Sequence, residues 1–226
     1  MWRLDGSVCH LHTQQLVCEV DLLRPAAGLL NLSLQFGALS RPDLKILQVH
    51  TGETESESTL LDVFVRGTDL VATYAETAKR EVRSQVYWRW TAVNEKAFAI
   101  DVILSVQTSK LDGRATLEVA SMLPSSADRL TATEMSNGAL NLFGVPASGC
   151  VYAEMAHPSN LAGSSLREPA PATDDWRLSH HFFAGRLEKG VIHRAMLRAM
   201  FLKSGESELV EQLFREFLQA PPPLST

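Results

Sequence analysis

The sequence contains no Walker loop, no G-x-G-x-x-G, no G-x-S-x-G, no H-E-x-x-H and no paired C-x-x-C. Each of these frameworks uses backbone geometry to place a phosphate cradle, a nucleophile or a zinc ligand set. The nucleotide, hydrolase and zinc enzymes that they mark are therefore excluded. Cysteine is scarce: Cys9, Cys18 and Cys150 are the three in 226 residues. Their number is odd and their spacing fits no disulfide framework, so they read as reduced, buried thiols. Neither sign of charge dominates beyond a formal −5, and Lys and Arg are scattered. A nucleic-acid binder that works by counterion release needs a basic face, so no nucleic-acid partner is expected. No run approaches the ~20 apolar residues of a membrane helix, and Asp5, His10, His12 and Gln14 interrupt the stretch from Met1 to Val20 where a signal peptide would lie. The expectation is a cytoplasmic protein without a membrane partner. Low complexity is confined to Pro221-Pro222-Pro223, and no internal repeat of fixed period occurs.

What is present is an ordinary globular composition, 45% hydrophobic and 21% charged, arranged with a period of two. The clearest stretch runs from Val82 to Gln107. Val86, Trp88 and Trp90 share one parity, and Phe98, Ile100, Val102, Leu104 and Val106 continue it after a break at Asn94-Glu95-Lys96. This is a central β-hairpin. Centring the loop on Glu95 pairs Trp90 with Ile100, Trp88 with Val102 and Val86 with Leu104. It also sets Arg89 opposite Asp101, Gln85 opposite Ser105 and Arg83 opposite Gln107 on a polar face. A second hairpin turns at Gly67-Thr68, Gly first as a type II′ turn prefers. It pairs Val65 with Leu70, Val63 with Ala72, Leu61 with Tyr74, and Arg66 with Asp69 as a charge clip.

The remaining strands are expected at Val8–His12, Leu16–Asp21, Leu29–Gln35, Leu44–His50, Ala115–Leu123, Ala139–Val145, Cys150–His157, Trp176–Ala184 and Val191–Lys203. In the last of these, Val191, His193, Ala195, Leu197 and Phe201 face inward. Gly52–Ser58, alternating Glu with Ser or Thr, reads as a solvated loop or edge, and Pro158–Asp175 as a loop of about eighteen residues, a length that marks functional or disordered segments. The period then changes. Leu209, Val210, Leu213, Phe214, Phe217 and Leu218 lie on one face of a helix over about 206–219, stopped at Ala220-Pro221. The fold class is mainly β, a large antiparallel β-sandwich with one C-terminal amphipathic α-helix, and residues 1–226 are expected to form a single domain.

Three groups could carry chemistry. His10 and His12, two apart, project from one strand face as a cupin metal pair does. However, Glu19 follows His12 too late for that motif and the cupin glycines are missing, so the bland reading keeps both on a polar face and no metal or cofactor is expected. The second group flanks the 158–175 segment: Glu154, which shares a face with Tyr152, then His157 of opposite parity, and Trp176, His180 and His181. A carboxylate near imidazoles is suited to acid–base work; the bland reading is an exposed strand end. The third is the polar face of the central hairpin with Tyr87, Arg89 and Asp101. Planar and hydrogen-bonding side chains of this kind suit sugar hydroxyls, unless the face is solvated or covered by the C-terminal helix with Arg89 and Asp101 as a buried pair.

The train of long antiparallel strands, the Tyr87-Trp88-Arg89-Trp90 strand and the Leu187-Glu188-Lys189-Gly190-Val191 turn resemble the galactose-mutarotase-like sandwiches over about half the chain. In that family a glutamate base and a histidine acid epimerise a sugar at its anomeric carbon, and other relatives only bind carbohydrate. No residue here aligns with a catalytic motif of the family, so none is carried over. The leading expectation is a carbohydrate- or polyol-binding β-sandwich, or a diverged relative of sugar-active enzymes, with catalysis left open. The alternatives are a cupin-like metal enzyme built on His10 and His12, and a non-catalytic subunit of a symmetric homo-oligomer.

Overall fold

The central hairpin forms in the expected register. In the computed structural model, which describes residues 1–38, 45–51, 59–77, 80–135, 137–170 and 175–221, Arg83–Asn94 and Ala97–Gln107 pair Trp88 with Val102, Val86 with Leu104, Arg89 with Asp101 and Arg83 with Gln107. The connecting turn is Glu95-Lys96, and an irregularity beside Ala97 restores the odd offset that keeps both apolar sets on one face.

Four sheets contain the strands found among the described residues. A five-stranded sheet takes β1 (Trp2–Asp5), β2 (Val8–His12), β3 (Leu16–Asp21), β4 (Leu29–Leu34) and β5 (Gly37–Ala38) in chain order. A four-stranded sheet holds β6 (Gln48–His50), β12 (Leu117–Pro124), β16 (Leu161–Arg167) and β17 (Asp175–Phe182), in the order β16-β17-β12-β6. The eight-stranded sheet contains β7 (Leu60–Arg66), β8 (Asp69–Tyr74), β9 (Arg83–Asn94), β10 (Ala97–Gln107), β13 (Asp128–Met135), β14 (Gly138–Val145), β15 (Cys150–Ala156) and β19 (His193–Lys203). Its order is β13-β14-β15-β19-β10-β9-β8-β7, so β19 joins two meanders. β11 (Asp112–Arg114) and β18 (Arg186–Glu188) form a short ribbon, and helix α1 is Ser207–Gln219.

One face of the eight-stranded sheet packs against the two smaller sheets. Trp88, Phe98, Ile100, Leu104, Phe143, Tyr152 and Phe201 from the large sheet meet Leu11, Leu16, Val119, Leu178 and Phe182 in a single core. The other face is also buried. Leu140, Met155, Met196, Met200 and Leu202 form a second core closed by Val210, Phe214 and Phe217 of α1. Gly138 permits this closure: a Cβ there would lie 2.5 Å from Leu218 Cδ2 and 2.9 Å from the Ala156 carbonyl oxygen. The second face of the central hairpin is thus covered in part: Tyr87, Asp101 and Ser105 are buried, while Gln85 and Arg89 are half-exposed and Arg83 is exposed.

Several expectations are corrected. In the β7–β8 hairpin, Gly67 takes φ +60° at the turn, and Val65–Leu70, Val63–Ala72 and Arg66–Asp69 pair as expected. A bulge at Leu61, however, gives Tyr74 the partner Leu60. The Asp69 carboxylate is held by Arg89 with two hydrogen bonds of 2.7 and 2.8 Å. Arg198 takes Asp101 in the same way at 2.6 and 3.0 Å. Asp69, Arg89, Asp101 and Arg198 lie side by side across four strands. Each carboxylate therefore has an arginine neighbour, and the bidentate choice goes to the one whose fork reaches it. The segment read as a loop over 158–175 contains β16, paired to β17. Strands β1, β5, β11, β13 and β18 are additional, the expected Leu44–His50 strand is confined to Gln48–His50, and Val191 is exposed. Gly52–Ser58 lies outside the described residues.

Candidate functional site

Every residue of β15 is buried, and its alternation decides what each side chain meets. Cys150, Tyr152 and Ala156 face the core between the sheets, while Val151, Ala153 and Met155 face α1. Glu154 shares the parity of Tyr152, so a carboxylate is carried into the inter-sheet core. On the facing sheet, β17 directs Leu178, His180 and Phe182 inward. Glu154 and His180 are both fully buried, with Glu154 Oε2 3.1 Å from His180 Nε2.

A buried carboxylate is tolerated only when its lone pairs are occupied, and the surrounding strands supply the donors. The Tyr152 hydroxyl donates to Glu154 Oε1. Burial, with the Glu154 charge second, pushes that phenol well above its ordinary value, so it stays protonated as a donor. Ser121 Oγ, 3.2 Å from the Tyr152 hydroxyl, donates to it and itself accepts from the Leu47 N–H at 3.0 Å. With Nε2–H directed at the carboxylate, Nδ1 of His180 is an acceptor, and it lies 2.7 Å from Ser164 Oγ on β16. One polar chain thus crosses the core from Leu47 to Ser164.

Ser164 is half-buried and opens onto a cleft of about 300 Å³ lined by Arg129, Thr133, Glu134, Asn141, Ser165 and Leu166 with their neighbours on β13 and β14. Asn141 stands opposite Glu154 in the β14–β15 register. Of the group expected around the 158–175 segment, Glu154 and His180 are brought together beside a cleft. Ser164, Asn141, Arg129 and Thr133 were not singled out from the sequence. Parity along β16 would have pointed Ser164 at His180, but small residues without apolar alternation concealed the strand.

The other expected residues lie elsewhere. His157, of opposite parity as anticipated, faces α1 with its ring edge-on to Phe217 at 5.5 Å. It accepts from the Ser159 N–H through Nδ1, and burial lowers its pKa. Trp176 is half-buried and packs against the core: its indole N–H donates to the Ala127 carbonyl at 3.0 Å and its ring meets Phe143. His181 has the opposite parity to His180 and pairs with Glu118 and Gly163. Arg89 and Asp101 line a separate cleft of about 400 Å³ with Arg198, Glu216 and Phe217, where their charges are already committed to the ladder described above. Tyr87 donates to Gln85 Oε1 at 2.7 Å. His10 is 3.2 Å from Glu19, and His12 is exposed. Among the described residues no three His, Cys, Asp or Glu side chains gather as a metal ligand set. No helix among them is long and apolar enough to cross a membrane.

No family model matches the sequence, and no curated protein matches it. Solved structures do. One, from Klebsiella pneumoniae subsp. pneumoniae, is provisionally assigned as an aldose 1-epimerase. It superposes with a TM-score of 0.60 at 10% identity, over 99% of this chain and 88% of that one. Another, provisionally assigned as a kojibiose phosphorylase from the human microbiome, gives a TM-score of 0.50 at 11% identity, over 96% of this chain but 30% of that one. At such identities the likeness speaks to architecture alone: the chain shares a large antiparallel β-sandwich fold with these structures, in line with the resemblance read from its strands.

Proposed function

We propose that the protein binds a carbohydrate or related polyol in the cleft between β13, β14 and β16. The observation that carries this reading is the composition of the cleft wall. Arg129 is a pure donor, Glu134 an acceptor, and Asn141, Thr133, Ser164 and Ser165 serve as both, with Leu140 and Leu166 between them. A sugar presents hydroxyls that donate and accept around a ring with apolar C–H faces, and this lining answers both features. The volume falls at the lower end of the roughly 300–1,000 Å³ range of small-molecule sites, which suits one sugar unit. The sugar-active assignments of the structures sharing the fold support the same reading.

Among the described residues no aromatic ring lines the cleft, so affinity rests on hydrogen bonds, each contributing about 1 kcal/mol net. Binding in the millimolar to high-micromolar range is expected. Saturation-transfer NMR with a panel of monosaccharides and alditols tests this, and Asn141→Ala should weaken any positive by about five- to tenfold, the loss of one such bond. A panel with no member binding at millimolar concentration, or binding that Asn141→Ala leaves untouched, would remove the proposal.

A further inference from the structure

We infer that Ser164 is the nucleophile of an acyl-transfer site that hydrolyses carboxylic esters, with His180 as its base and Glu154 orienting the imidazole. Ser164 Oγ lies 2.7 Å from His180 Nδ1, and His180 Nε2 lies 3.1 Å from Glu154 Oε2. The order hydroxyl, imidazole, carboxylate is the one that lets a weak nucleophile surrender its proton as it attacks. The imidazole nitrogens are exchanged relative to the serine-protease arrangement, which leaves the proton path unchanged. Nor does Ser164 sit at a strand-to-helix elbow; it projects from a strand, which explains why no G-x-S-x-G marks it.

Two features distinguish this cluster from hydrogen bonding that merely fills a core. First, it is graded in exposure. Glu154 and His180 are wholly buried while Ser164 is half-buried and lines the cleft, so the one group presented to a ligand is the nucleophilic one. Second, β16 is an edge strand, hydrogen-bonded to β17 and to no other strand among the described residues. Alternate backbone N–H groups of an antiparallel edge point away from the ladder, and Ser164 is in the middle of this edge strand, Leu161–Arg167. Such donors can hold the oxyanion of a tetrahedral intermediate.

The chemistry balances with water as the second substrate. Ser164 Oγ bonds to the ester carbonyl carbon and its proton passes to His180 Nδ1, giving an imidazolium that Glu154 stabilises. Collapse breaks the carbon–alkoxy bond and returns that proton to the leaving alcohol. Water, deprotonated by His180, then attacks the acyl-enzyme, the acid departs and Ser164 recovers its proton. The nucleophile stands independently of the binding reading. The choice of an O-acylated polyol as substrate rests on that reading, since the cleft would hold the alcohol portion.

The test treats the full chain with a fluorophosphonate, which transfers phosphorus to an activated serine with loss of fluoride, and maps the adduct by peptide mass spectrometry. Hydrolysis of p-nitrophenyl acetate and of acetylated monosaccharides is followed in parallel. Expected are an adduct on Ser164 and at least a tenfold fall in ester hydrolysis in Ser164→Ala. A folded wild-type protein whose Ser164 stays unlabelled overturns the inference. Should Ser164→Ala fail to fold, Ser164→Cys serves instead: alkylation of that thiol by iodoacetamide should proceed well below the ordinary thiol range, and an ordinary pH profile overturns the inference. A labelled Ser164 that ignores acetylated sugars overturns the polyol substrate alone and leaves the nucleophile standing.

Discussion

Trp88 and Tyr87 are neighbours in sequence but face different cores. Trp88, 1% exposed, sits in the inter-sheet core between Leu70 and Val102, and Tyr87, 8% exposed, lies on the opposite face with its hydroxyl held by Gln85. Trp88→Ala should cost about 3–5 kcal/mol, read as a lowered urea midpoint at unchanged slope, and Tyr87→Ala should cost less. His157 provides a second residue-scale prediction. Burial lowers its pKa below the ordinary 6.5, against the pull of the Leu218 and Ala220 carbonyls. The unfolded chain therefore takes up the proton more readily than the folded one. The resulting stability is complete above about 6.5 and is lost as the pH falls toward the lowered value. His157→Gln should flatten that part of a stability-against-pH curve; an unchanged slope would show that His157 does not couple to folding. Strand parity made the faces of Trp88, Tyr87, Tyr152 and Glu154 legible in the sequence. The partners of Arg89 and Asp101 were not, because register fixes which residues are adjacent but not which of two flanking carboxylates a guanidinium selects.

Among the elements, α1 was readable because its six apolar residues change the period from two to that of a helix, and the helix spans nearly the expected range. A helix lying over the polar hairpin face was one of the alternatives that the sequence left open; the Arg89–Asp101 pair expected beneath it does not form as such, because Arg89 takes Asp69 and Arg198 takes Asp101. A chain ended at Gly205 should expose Leu140, Met155, Met196 and Met200 as a contiguous apolar patch. It should bind a hydrophobic dye and lose its cooperative melt, and a sharp transition in that truncated chain would reduce α1 to a detachable appendage. Strands β13 and β16 eluded the sequence for a common reason. β13 is exposed or half-exposed along its whole length, and β16 buries none of its residues fully. A strand that buries neither face has no reason to alternate. The candidate cleft lies between these two strands, so the part of the molecule hardest to read is also where its binding wall is built.

For the molecule as a whole, the three thiols report on opening. Burial pushes Cys9 up to about 11 and Cys150 up to about 12, and raises Cys18 further. All three are free and buried. A thiol-reactive dye should therefore modify none of them in the native protein and all three on unfolding, at a rate set by the opening of both small-sheet and large-sheet layers. Early labelling of Cys9 and Cys18 alone would show that the five-stranded sheet detaches on its own.

The place of β19 in the large sheet reaches beyond the finished structure. Its register joins β10 on one side and β15 on the other, so without it the sheet is two meanders with facing raw edges, both rich in buried apolar side chains. As the chain emerges in sequence order, those edges form an unfilled slot for as long as the residues between β15 and β19 are being made. A slot shaped for one strand accepts that strand from any copy of the chain that offers it. Crowded nascent chains are thus open to exchanging β19 among themselves, and the same closure that leaves the completed sheet without a gap makes its assembly the step most exposed to error.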